Sequence, residues 1–267
     1  MEIIIWICYN INNIHSHLAL IITLDERRNK PMINSNDLTY KPLYYAYDDG
    51  EREYIVTYGN SVTIANEFVA HWICEKHNLP TAKTHLVSEN GIIPSDYALA
   101  IECVEGLRRI KEPPLSQNLQ DEFIGHLTVG YLLGSLDTMR FYTDSEHVYA
   151  FNYRNAFHFS GSSFSGNDDK ELKKENIKSY KKYLHSVDFD ISELAESWCI
   201  PIATLKEGII TYSMKLSTIT NKDLTSLEHE LKSLFPKPVI SMYKKAIIDL
   251  QLYIEKFISA SSSDFSE

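Results

Sequence analysis

The sequence predicts an α+β protein in two parts: a β-rich lobe over 1–106 and a mostly helical lobe over 107–258, ending in a disordered Ser-rich tail, 259–267. Three observations predict it. Short apolar runs broken by turn residues fill the first hundred positions. Apolar residues then recur at helical spacing over most of the remainder. Finally, 44% apolar against 23% charged residues lets a chain of 267 residues close a substantial core.

The elements follow in order. The runs 2–8 and 18–24 read as two strands. The aromatic run Lys41 to Tyr47 and the strand Tyr54-Ile-Val-Thr-Tyr58 flank Asp49-Gly50, a hairpin signature, because glycine accepts the positive φ of the turn. Thr63 then caps a helix over 64–77 whose buried stripe is Ile64, Phe68, Val69, Trp72 and Ile73, and Asn78-Leu79-Pro80 stops it. Strands at 84–88 and 97–103 are separated by Asn90-Gly91. Pro113-Pro114 closes a charged stretch and places the boundary near 105–115. A long helix covers 119–135, two short strands lie at 147–152 and 156–159, and Gly161 to Asp169 is a loop. Four or five helices fill Lys170 to Ile258.

Charge and cysteine usage exclude several functions. With 26 basic and 36 acidic residues the net charge is −10, against a general nucleic-acid or anionic-membrane binder. The four cysteines are widely spaced with no CxxC pair, so reduced thiols in a cytoplasmic protein are expected. The apolar start lacks a basic flank and is interrupted by Asn10, Asn12 and Asn13, which fits neither a signal peptide nor a spanning helix. His71, Cys74 and His77 share a helix but lack a fourth ligand, and His15 and His17 have no partner cluster, so no metal site is expected. Gly161 and Gly166 have the spacing of a phosphate loop, but Asn167-Asp168 stands where Lys-Ser/Thr is required. Ile191 to Ile209 has the outline of a helix-turn-helix. Between 186 and 235, however, eight acids oppose four lysines, and the plain reading is a helical hairpin.

Two stretches carry a family resemblance. The first runs from Asp49-Gly50 through Tyr54-Ile-Val-Thr-Tyr58 to Asn66-Glu67 and Leu79-Pro80. The second is Gly134-Ser-Leu-Asp137-Thr-Met-Arg140 followed by Tyr149-Ala-Phe-Asn152-Tyr-Arg-Asn-Ala-Phe157. Over roughly 45–160 the chain resembles the HipA-like kinases, bacterial serine/threonine kinase toxins and their relatives. The resemblance implies a two-lobed protein-kinase-like fold. It places Thr57 where the family carries its phosphate-binding lysine and Glu67 on the helix that follows. It also places Asp137 beside the acceptor hydroxyl, Tyr142 near the catalytic-loop asparagine and Asn152 at the metal-binding aspartate. Arg140 and Arg154 line the phosphate cleft in that frame, or are ordinary surface charges.

The departures decide the expected function. Phosphoryl transfer is mostly positioning and charge stabilisation, and single clamp elements are worth ~10³–10⁵ in rate. Thr57 cannot neutralise phosphate, and Asn152 supplies no carboxylate to Mg²⁺. The expectation is a pseudokinase without ATP or Mg²⁺, acting as a protein-binding regulator or antagonist. Its acidic helical region would attract a basic partner, with Trp198, Tyr212, Phe235, Tyr243 and Tyr253 as anchors where exposed. The alternatives are a divergent ATP-dependent kinase or other nucleotide-using transferase, and a helical DNA-associated module. Each singled-out residue also has a structural reading: Thr57 as a strand residue, Asp137 as a turn residue, Glu67 as a partner of its helix dipole and Asn152 as a strand-end group.

Overall fold

The computed structural model describes residues 44–48, 53–87, 97–111, 116–159, 169–187 and 190–263. The expected strands at 2–8 and 18–24, the Asp49-Gly50 turn and the 161–168 loop lie outside them. The fold is mixed α+β and mostly helical.

β1 (Tyr44–Asp48) and β2 (Glu53–Gly59) pair antiparallel with Tyr47 opposite Tyr54, the hairpin expected from the sequence. β2 also pairs with β4 (Tyr97–Glu102), which pairs with β3 (Thr84–Val87), giving one antiparallel sheet in the order β1-β2-β4-β3. Between β2 and β3 runs α1 (Ser61–Lys76). Its cap is Asn60, whose side-chain oxygen accepts from the Thr63 N–H at 2.8 Å. Thr63 is therefore inside the helix and not its cap, a correction that follows from the helix starting three residues early. Replacing Asn60 with Ala should cost about 1 kcal/mol in thermal denaturation, and Thr63→Ala clearly less. The reverse order would move the cap back to Thr63.

The five residues of the expected stripe are all buried, but so is every residue from Ile64 to Cys74. The sheet covers one side of α1, and α2, α6 and the turn after β7 cover others, so an all-round apolar helix results. α2 (Gln117–Leu133) ends at Gly134, where φ is +74°. Glycine is needed twice there: for the left-handed backbone, and because a Cβ would lie 2.2 Å from the His158 ring.

β5 (Arg108–Arg109), β6 (Arg140–Thr143) and β7 (Val148–Phe151) form a second antiparallel sheet in that order. The expected strand at 156–159 is instead a 3₁₀ turn, Ala156–His158, with Phe157 at φ 64° and His158 at φ 50°. The rings of Phe157 and Phe159 turn inward onto Tyr180 and Tyr243, on helices.

Five helices complete the chain: α3 (Asp169–Ser186), α4 (Ile191–Trp198), α5 (Ile202–Ser217), α6 (Asn221–Leu231) and α7 (Lys237–Ser263). α4 and α5 are a helical hairpin turned by Cys199, which adopts the left-handed conformation itself at φ 50°. α6 starts with a reciprocal capping box between Thr220 and Asp223. α7 continues through 259–263, so the first five residues of the expected tail are helical, while 264–267 lie outside the description. Tyr212, Phe235 and Tyr243 are buried, and Trp198 and Tyr253 pack against the core, so these aromatics build the helical region and do not stand out as interface anchors. Among the described residues no helix is long and apolar enough to cross a membrane.

Candidate functional site

Four segments meet at one place. β2 brings Thr57, α1 brings Asn66 and Glu67, the turn after α2 brings Asp137 and Thr138, and the segment after β7 brings Asn152 and Arg154. Thr57 is 3% exposed, and its hydroxyl accepts from Arg154 Nη2 at 2.6 Å. The carbonyl of Arg154 accepts from the Asn66 amide at 2.8 Å. Asn66 Oδ1 in turn accepts from the Tyr243 hydroxyl at 2.6 Å, which ties α7 to the cluster.

Glu67 faces the same segment. Its Oε1 accepts the backbone N–H of Asn152 at 2.9 Å and lies 3.4 Å from His71 Nε2, an ion-pair distance without hydrogen-bond geometry. Its Oε2 is buried with no partner among the described residues. Asn152 sits at φ 72°, in the left-handed region that asparagine tolerates better than most residues. Its side chain donates to the Thr138 carbonyl at 2.8 Å, and Thr138 Oγ1 lies 3.0 Å from the Asn152 carbonyl. The two loops are therefore clasped in both directions.

Asp137 lies on the exposed side of that clasp. Arg140 fixes the backbone beneath it: Nη1 donates to the carbonyls of Asp137, Thr138 and Met139 at 3.2, 3.0 and 2.7 Å. His158 stacks on Tyr183 with ring centroids 4.1 Å apart. Burial pulls its pKa below the ordinary histidine range, while the Asp137 charge opposes that shift.

Four of the five positions singled out from the sequence thus surround one junction: Thr57, Glu67, Asn152 and Asp137. Tyr142 is placed differently. It is buried in β6 opposite Tyr149, with its ring edge-on to Phe151 at 5.5 Å, because the chain enters a strand at Arg140 instead of continuing as a loop. Sequence reasoning left Arg154 as either a cleft residue or a surface charge and missed its bond to Thr57, and it missed the Thr138 clasp. The Asn-Glu pair at 66–67 was the visible signal for Asn66.

Chemically, most polar groups in this cluster are already engaged. Among the described residues no three His, Cys, Asp or Glu side chains converge as a metal site would require. His71, Cys74 and His77 are each buried and serve packing: His71 Nδ1 bonds Thr81 Oγ1 at 2.5 Å, and Cys74 lies 3.5 Å from the Tyr153 hydroxyl. Burial pushes the Cys74 thiol up to about 12, which leaves it unreactive at neutral pH. Below the clasp, buried His126 points Nε2 at the Val148 carbonyl, 3.0 Å away, and Nδ1 at the Tyr153 hydroxyl, 3.4 Å away. The first contact makes Nε2 the protonated nitrogen of the neutral ring.

No protein-family model matches the chain, and no curated protein matches it. Among solved structures it is similar to the Helicobacter pylori proinflammatory kinase CtkA at 12% identity. That match covers 84% of this chain and 92% of the other, with a TM-score of 0.40.

Proposed function

We propose that this chain is a kinase-like module that has lost phosphoryl transfer and works by binding another protein, as a regulator or antagonist. The order of its parts supports the kinase-like reading: the strand with Thr57, the helix with Glu67, the turn with Asp137 after α2, and Asn152 just past the β6–β7 hairpin. The observation that carries the loss is Thr57. Where a kinase of this kind needs a phosphate-binding lysine, a buried hydroxyl is already bonded to Arg154. Asn152 adds to it, since its amide is spent on the Thr138 carbonyl and offers a cation no carboxylate. The exposed acids Asp190, Glu193, Glu196 and Glu207 give a basic partner its complement.

A thermal-shift titration tests the reading. Stabilisation by a ligand grows as RT ln(1 + [L]/Kd), so millimolar ATP with Mg²⁺ should leave Tm almost unchanged. Pull-down from native extract should recover a partner that is lost at high salt and lost when Glu193, Glu196 and Glu207 become lysine. A micromolar, Mg²⁺-dependent Kd for ATP overturns the proposal.

One observation favours a second reading, an ATP-using enzyme of divergent design: Arg154 delivers a cation to the strand position the lysine vacated. In that case nucleotide would bind the native protein, and Arg154→Ala would abolish the binding.

A further inference from the structure

A cavity of about 410 Å³ opens between β5, β6, the turn after α2 and α4, apart from the cluster around Thr57 and Glu67. Small-molecule sites occupy roughly 300–1,000 Å³, so the volume suits a ligand. Buried Leu127 and Phe141 and half-buried Trp198 line it. The rings of Phe141 and Trp198 pack on each other and on Phe123 at centroid distances of 4.4–6.0 Å, which makes that wall rigid.

Three cations share the same lining: Arg109, Lys111 and Arg140. Among the described residues no carboxylate lines it, and neither Arg109 nor Lys111 has an acidic partner. That is unusual in a chain whose acids outnumber its bases 36 to 26. Like charges held around a partly apolar hollow repel one another, and an anion placed among them relieves the repulsion. Arg140 is already anchored through Nη1, so its position is fixed before any ligand arrives.

We infer that this cavity binds a small amphipathic anion: a ring-sized apolar body against Trp198 and Phe141, with carboxylate, sulfonate or phosphate oxygens held by Arg109 and Lys111. The inference is independent of the kinase-like reading and uses none of its residues except Arg140, which borders both.

Anilinonaphthalene sulfonate is a suitable probe, with phenylnaphthylamine as its uncharged parent, each titrated by fluorescence into the full chain. The sulfonate should bind saturably and at least tenfold tighter than the parent. The double variant Arg109→Ser, Lys111→Ser should weaken the sulfonate by tenfold or more and leave the parent unchanged, because charge-assisted contacts are the only ones removed. Leu194→Trp fills the cavity from α4 and should abolish both. Lys111 is exposed and Arg109 half-buried, so the double variant keeps its fold, checked by circular dichroism. Equal sulfonate binding by the double variant and the native chain overturns the inference, as does a parent that binds as tightly as the sulfonate.

Discussion

As pH falls from 6.5 to about 4, the protein should lose about 3 kcal/mol of stability through His126 alone. Burial pushes the folded-state pKa of this ring down from 6.5 to about 4, with the bond to the Val148 carbonyl and the Pro80 carbonyl opposing the shift and His71 adding to it. A depressed histidine pKa means that the unfolded chain binds more protons than the folded one in that window. Stability is therefore complete above 6.5 and is lost as pH drops towards 4. His77 is pushed down to about 4 as well, first by burial and then by Lys215, with Asp223 opposing, and its loss runs in the same direction over the same window. Asp144 and Asp223 also lie below their ordinary carboxylate range, so their contributions fall away at lower pH. Urea unfolding at a series of pH values measures the slope, and His126→Gln should flatten it. An unchanged slope in that variant would show that His126 does not carry the effect.

The second large effect is expected at Tyr243. This residue is fully buried on α7, packs edge-on against Phe157 and Phe159, and donates to Asn66 Oδ1 at 2.6 Å with the Val62 carbonyl at 3.1 Å. Tyr243→Ala should cost about 4 kcal/mol, from lost contact and the hole left behind. Tyr243→Phe keeps the ring and strands Asn66, for about 1–2 kcal/mol. Against a total of roughly 5–15 kcal/mol, the first variant lowers Tm by roughly 10 °C and the second by a few degrees. Equal losses in both would assign the whole effect to the hydroxyl.

Local signals made much of the fold legible. Asp49-Gly50 between aromatic runs announced the β1–β2 hairpin, and the spacing of Ile64, Phe68 and Trp72 announced α1. The cap of α1 was misplaced because Asn60 and Thr63 are both good capping types, and only geometry separates them. The segment 156–159 is a turn because its rings pack on helix α3 and helix α7, far along the chain, which a four-residue stretch cannot announce. Thr57, Glu67, Asp137 and Asn152, matched by position in the sequence, come near one another because each sits beside a recognisable element. Tyr142 instead lies buried in β6, a four-residue strand that gives little signal in the sequence. The Arg154–Thr57 bond spans 97 residues, and no local pattern encodes such a pairing.

The link from Tyr243 to Asn66 spans 177 residues, and it has a consequence for how the protein is made. Chains leave the ribosome from the N-terminus at roughly 5–20 residues per second. Asn66 thus emerges roughly 10–35 s before the helix that completes its hydrogen bonding. During that interval Asn66 Oδ1 and the Val62 carbonyl on α1 wait without the hydroxyl that Tyr243 brings. A stop codon ahead of α7 would leave those two acceptors permanently without Tyr243.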